Sequence, residues 1–350
     1  IQKLYEYLQS ETHYMNISLG IGGWQTIPAV EVAKKGYGDC KALSNYMKAI
    51  LNEAGIPAYQ ALVYAGREVS YSYRDFACMH FNHVITCVPL EKDTLFLECT
   101  SQTNPVGYQG SFTGNRKALL LLPESGKLIS TTIYKPADNV QLRRGTIKVN
   151  EDGSAQALIT TTYTGIQQES RSNVINAMNK EDQRNWVIEH VNIPSFELNE
   201  FLFSEKKQQL PQVEEKLKLS IKKIVTKSGT RLFLAPNLMT TFMTVPLLEK
   251  ERKADLFLNP NFYDFHDADT LTYELPKNYV LEFMPEPVKI TSKFGEYSAR
   301  SVIKDGTLIY YRNVNITSGT YPRTDFKDWA EFIKKVVKSD RDNVVFTLHK

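Results

Sequence analysis

The sequence predicts an α+β protein in which a mixed region of helices and strands precedes a longer region of strands. Two observations support this: apolar residues recur at helical spacing mainly in the first third, and strand-like alternation dominates from about residue 135 onward. A length of 350 residues fits about two or three domains. We therefore expect one domain over residues 1–135 and a β-sandwich-type region over 136–350, as one unit or as two, about 136–240 and 241–350.

Composition narrows the functional classes. Hydrophobic residues make up 42% of the chain and charged residues 23%, which is enough to bury ordinary cores. The chain has 42 lysine and arginine residues and 39 aspartate and glutamate residues, so its net charge is +3. No basic stripe predicts nucleic-acid binding. No apolar run approaches the roughly 18–20 residues of a membrane span. Because the chain begins with Ile1 and has no signal-peptide pattern, we expect a processed or trimmed form.

The first region begins with helices. Ile1–Ser10 carries apolar residues at helical spacing, and proline before Ala29–Lys35 favours a short helix there. Asp39 is a good N-cap, which places Cys40 at the first position of the strongest predicted helix. Gly55 and the proline that follows it predict the end of that helix.

Strands follow these helices. The segments Phe81–Val88 and Thr94–Thr100 predict a hairpin, and alternation places His83 on an otherwise apolar face and Glu98 on a face of the partner strand. The further predicted strands of this region are Tyr59–Tyr64, Ala118–Leu122 and Leu128–Tyr134.

Beyond residue 135, the segments Val140–Val149 and Ala155–Thr164 flank a turn and predict a hairpin. Two adjacent helical segments, Ser170–Met178 and Glu181–Val191, interrupt the alternation. The end of the chain predicts a helix over Thr324–Lys338 and a strand over Asn343–Leu348.

Three residues of the first region suit thiol chemistry. A cysteine at a helix start, as predicted for Cys40, lies near free amides and the positive end of the helix dipole, which favour the thiolate. His83 is a candidate base, and a buried Glu98 across the hairpin needs a polar partner. A carboxylate bonded to one imidazole nitrogen fixes the tautomer and stabilises the imidazolium. Together they predict a thiol triad.

These residues lie in segments that resemble the transglutaminase-like core of the papain-like superfamily. The resemblance covers about residues 1–125, and it includes the opening helix with Tyr14. The segments that carry it are Tyr37–Tyr59 (YGDCKALSNYMKAILNEAGIPAY), Phe81–Val84 (FNHV) and Leu97–Thr100 (LECT).

The resemblance implies a papain-like fold in which a helix carrying the cysteine packs on an antiparallel sheet. It further implies that Cys40 is the nucleophile, His83 the base and Glu98 the residue that orients it. The family usually has aspartate in an Asp-x-Thr motif, whereas this chain has Glu98-Cys99-Thr100. Because glutamate is one methylene longer, the geometry must adjust.

The later β-rich region resembles, more loosely, the domains that accompany this core in large secreted or cell-envelope proteins of Bacteroidetes-type bacteria. That resemblance implies an extracytoplasmic location, either periplasmic or associated with the cell envelope. It brings no catalytic motif.

Two hypotheses for function follow. In the first, the protein is a cysteine-dependent amide or peptide hydrolase, or an acyl transferase, that forms a thioester on Cys40 with a peptide or protein substrate and needs no cofactor or metal. In the second, the core is an inactive module that binds peptide or glycan or serves as an envelope scaffold. The candidate cleft residues are Trp24, Gln25, Asp39 and Asn82.

A zinc site is the competing hypothesis for the same segment. Cys78, His80, His83 and Cys87 are closely spaced soft ligands, but on a strand His80 and His83 point to opposite faces, so few ligands converge. A disulfide between Cys87 and Cys99, across the predicted hairpin, is disfavoured. Alternation along the strand places Cys99 on the opposite face from its neighbour Glu98, so its side chain should point away. We therefore expect Cys78, Cys87 and Cys99 to be structural thiols.

Overall fold

The computed structural model describes residues 1–17, 19–66, 80–240, 244–246 and 252–349. These residues form two compact units, the first built from Ile1–Tyr134 with Lys207–Pro211 and the second from Lys135–Lys206 with Gln212–Lys350. Both units contain helices and sheets, so the predicted α+β class is confirmed. None of the described helices has the length and apolar character needed to span a bilayer.

The first unit contains a five-stranded antiparallel sheet and a separate pair of short parallel strands, β1 and β2. The sheet has the strand order β5-β4-β3-β6-β7. Its helices are α1 (Gln2–Glu11), α2 (Ala29–Lys35), α3 (Cys40–Glu53) and α4 (Gly110–Thr113). Its strands are β1 (His13–Tyr14), β2 (Tyr37–Gly38), β3 (Tyr59–Val63), β4 (His83–Pro89), β5 (Thr94–Leu97), β6 (Lys117–Leu121) and β7 (Gly126–Ser130).

Helix α3 begins and ends where the sequence predicts. The Asp39 side chain caps its first turn, and Gly55, at φ +76°, follows its end. Two hydrogen bonds join α3 to β4: the Ser44 hydroxyl donates to the Val84 carbonyl at 2.9 Å, and the Thr86 hydroxyl donates to the Ser44 carbonyl at 3.0 Å. These bonds fix the helix that begins at Cys40 against the strand that begins at His83.

The predicted hairpin is present, but its strands are shorter than expected. Strand β4 begins at His83 and not at Phe81, and β5 ends at Leu97 and not at Thr100. After Leu97 the chain turns, because the Glu98 carboxylate accepts hydrogen bonds from the Thr100 amide and hydroxyl. Glu98 therefore lies at the end of a strand, where its side chain is not confined to one face of the sheet.

The second unit contains an eight-stranded sheet with the order β10-β11-β9-β8-β15-β19-β18-β17, a four-stranded sheet with the order β12-β13-β21-β16, and the pair β14-β20. Its strands are β8 (Val140–Val149), β9 (Ala155–Thr164), β10 (Phe196–Lys206), β11 (Gln212–Ile221), β12 (Val225–Ser228), β13 (Arg231–Leu234), β14 (Leu256–Leu258), β15 (Phe265–Glu274), β16 (Tyr279–Phe283), β17 (Val288–Ser292), β18 (Gly295–Lys304), β19 (Thr307–Ile316), β20 (Gly319–Tyr321) and β21 (Val344–Leu348). Its helices are α5 (Glu169–Ala177), α6 (Lys180–His190), α7 (Pro260–Tyr263) and α8 (Phe326–Ser339).

The large sheet draws on strands from before and after residue 240. Strand β15 pairs in parallel with β8 and antiparallel with β19. The predicted hairpin of β8 and β9 is present with the predicted bounds. Both larger sheets and α8 contribute to one apolar core, to which α8 presents Trp329, Phe332 and Ile333.

Candidate active site of the first unit

Cys40 is the first residue of α3, and its side chain is a partly exposed free thiol. The buried Asp39 carboxylate accepts the Ala42 amide at 3.0 Å through one oxygen and contacts the Lys41 ammonium through the other. Both contacts hold the start of the helix in place. Asp39, a candidate cleft residue, therefore uses its carboxylate within the helix cap.

Gly38 permits a close approach to α3. A Cβ atom at this position would lie 2.7 Å from the Ala42 side chain, which is closer than real side chains allow. The contact at Gly38 is made with α3, the helix that carries Cys40. Strand β2, which ends at Gly38, and the first turn of α3 are therefore packed directly against each other.

His83 and Glu98 form a buried ion pair. The imidazole Nε2 lies 2.9 Å from one Glu98 carboxylate oxygen and 3.0 Å from the other, and the residues are only 8% and 2% exposed. The Thr100 hydroxyl donates to Oε1 of Glu98 at 2.6 Å, and the Thr113 hydroxyl donates to Oε2 at 3.5 Å. Glutamate thus reaches the imidazole with both oxygens while two threonines hold it.

The side chain of Cys40 lies close enough to the His83 imidazole to interact with it electrostatically. Because both Glu98 oxygens engage Nε2, we assign Nδ1 as the nitrogen available to the thiol. Burial alone would lower the pKa of His83, but the Glu98 charge, the interaction with Cys40 and the hydrogen bond with Glu98 outweigh it and raise that pKa to about 10. At neutral pH the imidazole is therefore protonated and can stabilise a thiolate at Cys40.

Two aromatic residues near this group were not among the predicted site residues. The Phe112 ring packs edge-on against His83 with ring centroids 5.2 Å apart. Burial first, and then electrostatic interactions with Cys40, Asp39 and Glu98, raise the pKa of Tyr14. Tyr14 had a sequence signal in the family resemblance, whereas Phe112 had none.

The remaining candidate cleft residues occupy different positions. Trp24 and Gln25 are exposed and follow a single 3-10 turn, Gly20–Gly23. The Asn82 side chain bonds both main-chain groups of Ala65, accepting from its amide at 2.6 Å and donating to its carbonyl at 3.1 Å. Asn82 therefore joins the segment that follows β3 to the start of β4, next to His83.

The proposed zinc ligands do not form a cluster in the described part of the chain. Nε2 of His83 faces the Glu98 carboxylate, and no group of three or more candidate ligands converges among the described residues. Cys78 lies outside the described residues. Cys87 and Cys99 are free thiols in separate apolar clusters.

Comparison with known proteins adds a partial family match. Residues 230–346, about a third of the chain, match the family DUF3858, which is described as a domain of unknown function with a solved structure. Comparison with curated proteins finds no match.

One solved structure is similar over nearly the whole chain. It is the crystal structure of a "putative protease" from Parabacteroides distasonis, with a TM-score of 0.50 and 12% sequence identity. The similarity covers 99% of this chain but 51% of that one, so this chain spans about half the length of the protein it resembles. At this identity the similarity defines the fold, an α+β architecture shared with a protease-like protein.

Proposed function

We propose that the first unit is a transglutaminase-like domain of the papain-like superfamily that cleaves or transfers the acyl group of peptide or protein amides. One observation carries the proposal: a thiol at a helix start lies close enough to interact with an imidazole whose Nε2 is held by a buried carboxylate. This arrangement has the nucleophile, base and orienting group that covalent acyl transfer requires.

The first half of the reaction forms a thioester. The Cys40 thiolate attacks the amide carbonyl carbon, and the main-chain amide of Cys40, which helix geometry leaves without an intrahelical acceptor, donates to the developing oxyanion. The carbon–nitrogen bond then breaks, and protonated His83 gives its proton to the leaving amine. Neutral His83 and an acylated Cys40 remain.

The second half releases the acyl group. Water or an amine attacks the thioester carbonyl, His83 removes the proton of the attacking group, and the carbon–sulfur bond breaks to give back the thiolate. Water yields a carboxylic acid and an amine yields a new amide. Glu98 holds the imidazole and stabilises its charge in both halves. We take water as the default acceptor, because an amine needs a second binding site.

The location that fits this proposal is extracytoplasmic, either periplasmic or at the cell envelope. It is supported by the loose resemblance of the β-rich region to accessory domains of secreted and envelope proteins. Fractionation of the source cells, followed by detection of the chain in the periplasmic or envelope fraction, tests it.

The experiment that tests the activated thiol is alkylation with iodoacetamide, followed for each cysteine by mass spectrometry. At about pH 6 an unperturbed thiol is almost fully protonated, so rapid alkylation there reports a thiolate. Burial raises the pKa of Cys87 to about 11 and that of Cys99 to about 12, so both are internal controls in the same chain. We expect Cys40 to react at least tenfold faster than a free-thiol peptide and H83Q to abolish this advantage.

Turnover is tested separately with a mixture of unfolded protein peptides and a fluorescent primary amine. New peptide termini that depend on Cys40 support hydrolysis, and incorporation of the amine supports transfer; C40A is the control. A Cys40 that reacts no faster than a free-thiol peptide contradicts the mechanism. A reactive Cys40 with neither product contradicts the enzyme hypothesis and favours the peptide-binding or glycan-binding module.

A further inference from the structure

Arg116 binds two separate segments of the first unit through main-chain carbonyl groups. Its Nε donates to the Gly114 carbonyl at 2.8 Å, and its Nη2 donates to the Ser111 carbonyl at 2.8 Å. Its Nη1 donates to the carbonyls of Tyr64 and Gly66, which follow β3. A single guanidinium therefore joins the segment after β3 to the short helix α4 and to the glycine that follows it.

The segment between Ser111 and Gly114 carries two side chains that contact the buried pair. Phe112 packs edge-on against the His83 ring, and the Thr113 hydroxyl donates to Glu98. The Phe112 carbonyl also accepts the Gly66 amide at 2.9 Å, so the two segments are bonded to each other as well as to the guanidinium.

The chemistry of arginine explains why this residue suits the position. A guanidinium presents five N–H donors in one rigid plane, whereas a lysine ammonium is a compact group on a flexible stem. All four acceptors of Arg116 are carbonyls that bring no negative charge, and burial lowers the pKa of its guanidinium. The arrangement therefore orders the main chain around Phe112 and Thr113 rather than forming an ion pair.

We propose that Arg116 is a positioning residue for the His83–Glu98 pair and acts through the Phe112 and Thr113 contacts. This assignment rests on the proposed function, because the pair matters to reactivity only if Cys40 is the nucleophile. Without the hydrogen bonds of Arg116, segment 110–114 moves relative to β4 and Thr113 no longer holds Glu98. The imidazole then loses part of the support that keeps it beside the thiol.

The test compares the pH profile of Cys40 alkylation by iodoacetamide in the full chain for the wild type, R116K and T113V. K117A is the matched control, since Lys117 is the exposed neighbour of Arg116 and contacts Ser130. We expect R116K to move the profile up by about half to one pH unit, which slows alkylation on its rising limb about threefold to tenfold, because a weaker carboxylate contact stabilises the imidazolium less. T113V shifts the profile in the same direction by less, and K117A leaves it unchanged.

Folding of each variant is checked by circular dichroism and by protection of the buried Cys99. A folded R116K with the wild-type profile overturns the assignment while leaving the proposed function intact. If R116K does not fold, T113V decides, and an unshifted T113V profile overturns the assignment. A wild-type Cys40 that reacts no faster than a free-thiol peptide overturns the proposed function, and the role of Arg116 with it.

Discussion

Each unit of the protein buries an ionic group, and the two groups are built differently. In the first unit a histidine pairs with a glutamate at the end of a strand. In the second, Asp269 on β15 lies between Arg143 on β8 and Arg312 on β19, in register across three adjacent strands. We call these three residues the charged row.

The charged row is satisfied by its own neighbours. Asp269 accepts from Arg143 at 3.1 Å and lies 3.5 Å from Arg312. Arg312 also binds Asp340, at the end of α8, with two hydrogen bonds of 2.8 and 3.0 Å. The row therefore joins α8 to the sheet.

The difference teaches that burial of charge does not by itself identify a functional site. Guanidinium groups stay charged at any ordinary pH and are poor proton donors. The His83 imidazole titrates and interacts electrostatically with Cys40, a partly exposed thiol at a helix start. A titratable group beside a nucleophile separates the first site from the second, and the predictions below test that separation.

The largest expected effect is on the charged row. D269N leaves two buried arginines without their shared anion, so we expect a loss of about 3–5 kcal/mol in the free energy of unfolding. Urea unfolding followed by tryptophan fluorescence measures it, because two of the three tryptophans, Trp186 and Trp329, lie in the second unit. D305N, in an exposed turn, is the control. Altered Cys40 alkylation in folded D269N would contradict the separation of the two groups.

The next effect is a pH dependence confined to the first unit. The folded pKa of His83, about 10, lies above its unfolded value of about 6.5, so its stabilisation is fully present below about pH 6.5 and is lost as the pH rises through about 10. At about pH 6.5 we expect the free energy of unfolding of the wild type to exceed that of H83Q by about 2–4 kcal/mol, and at about pH 10 we expect this difference to be lost. Alkylation of Cys99 on unfolding reports the first unit, and a constant difference across the window would contradict the prediction.

Replacing the carboxylate tests the same pair more gently. E98Q keeps an acceptor for the imidazole but removes the charge. We therefore expect the free energy of unfolding to fall by about 1–3 kcal/mol and Cys40 to be alkylated roughly tenfold more slowly at about pH 6. The same Cys99 measurement gives the stability. E98D, which restores the acid common in the family, is the matched variant, and equal rates for E98Q and wild type would show that Glu98 does not support the thiolate.

The smallest expected effect concerns the approach to Cys40. G38A adds a methyl group 2.7 Å from the Ala42 side chain, and we expect it to cost about 1–2 kcal/mol and to lower Cys40 reactivity modestly. The double variant G38A/A42G restores the space. Failure of the double variant to recover reactivity would show that Gly38 matters for a reason other than this packing contact.

The sequence predicted most of what depends on local pattern. The start of α3 was recognisable because Asp39 is a strong N-cap, and the hairpin of β8 and β9 because its alternation flanks a glycine turn. Cys40, His83 and Glu98 were selected from residue type and from the family resemblance. The ends of β4 and β5 were missed because they depend on side-chain bonds to the main chain, such as those between Glu98 and Thr100.

By itself, the sequence determined the α+β class, the helix that presents Cys40 and the residue types suited to thiol chemistry, since these follow from periodicity, capping and side-chain chemistry over a few residues. Only the tertiary structure decided which groups meet. Arg143 and Asp269 are 126 residues apart, and Arg116 binds the Tyr64 carbonyl across 52 residues. Such contacts are set by strand register and by the packing of whole elements, and no local pattern along the chain encodes them.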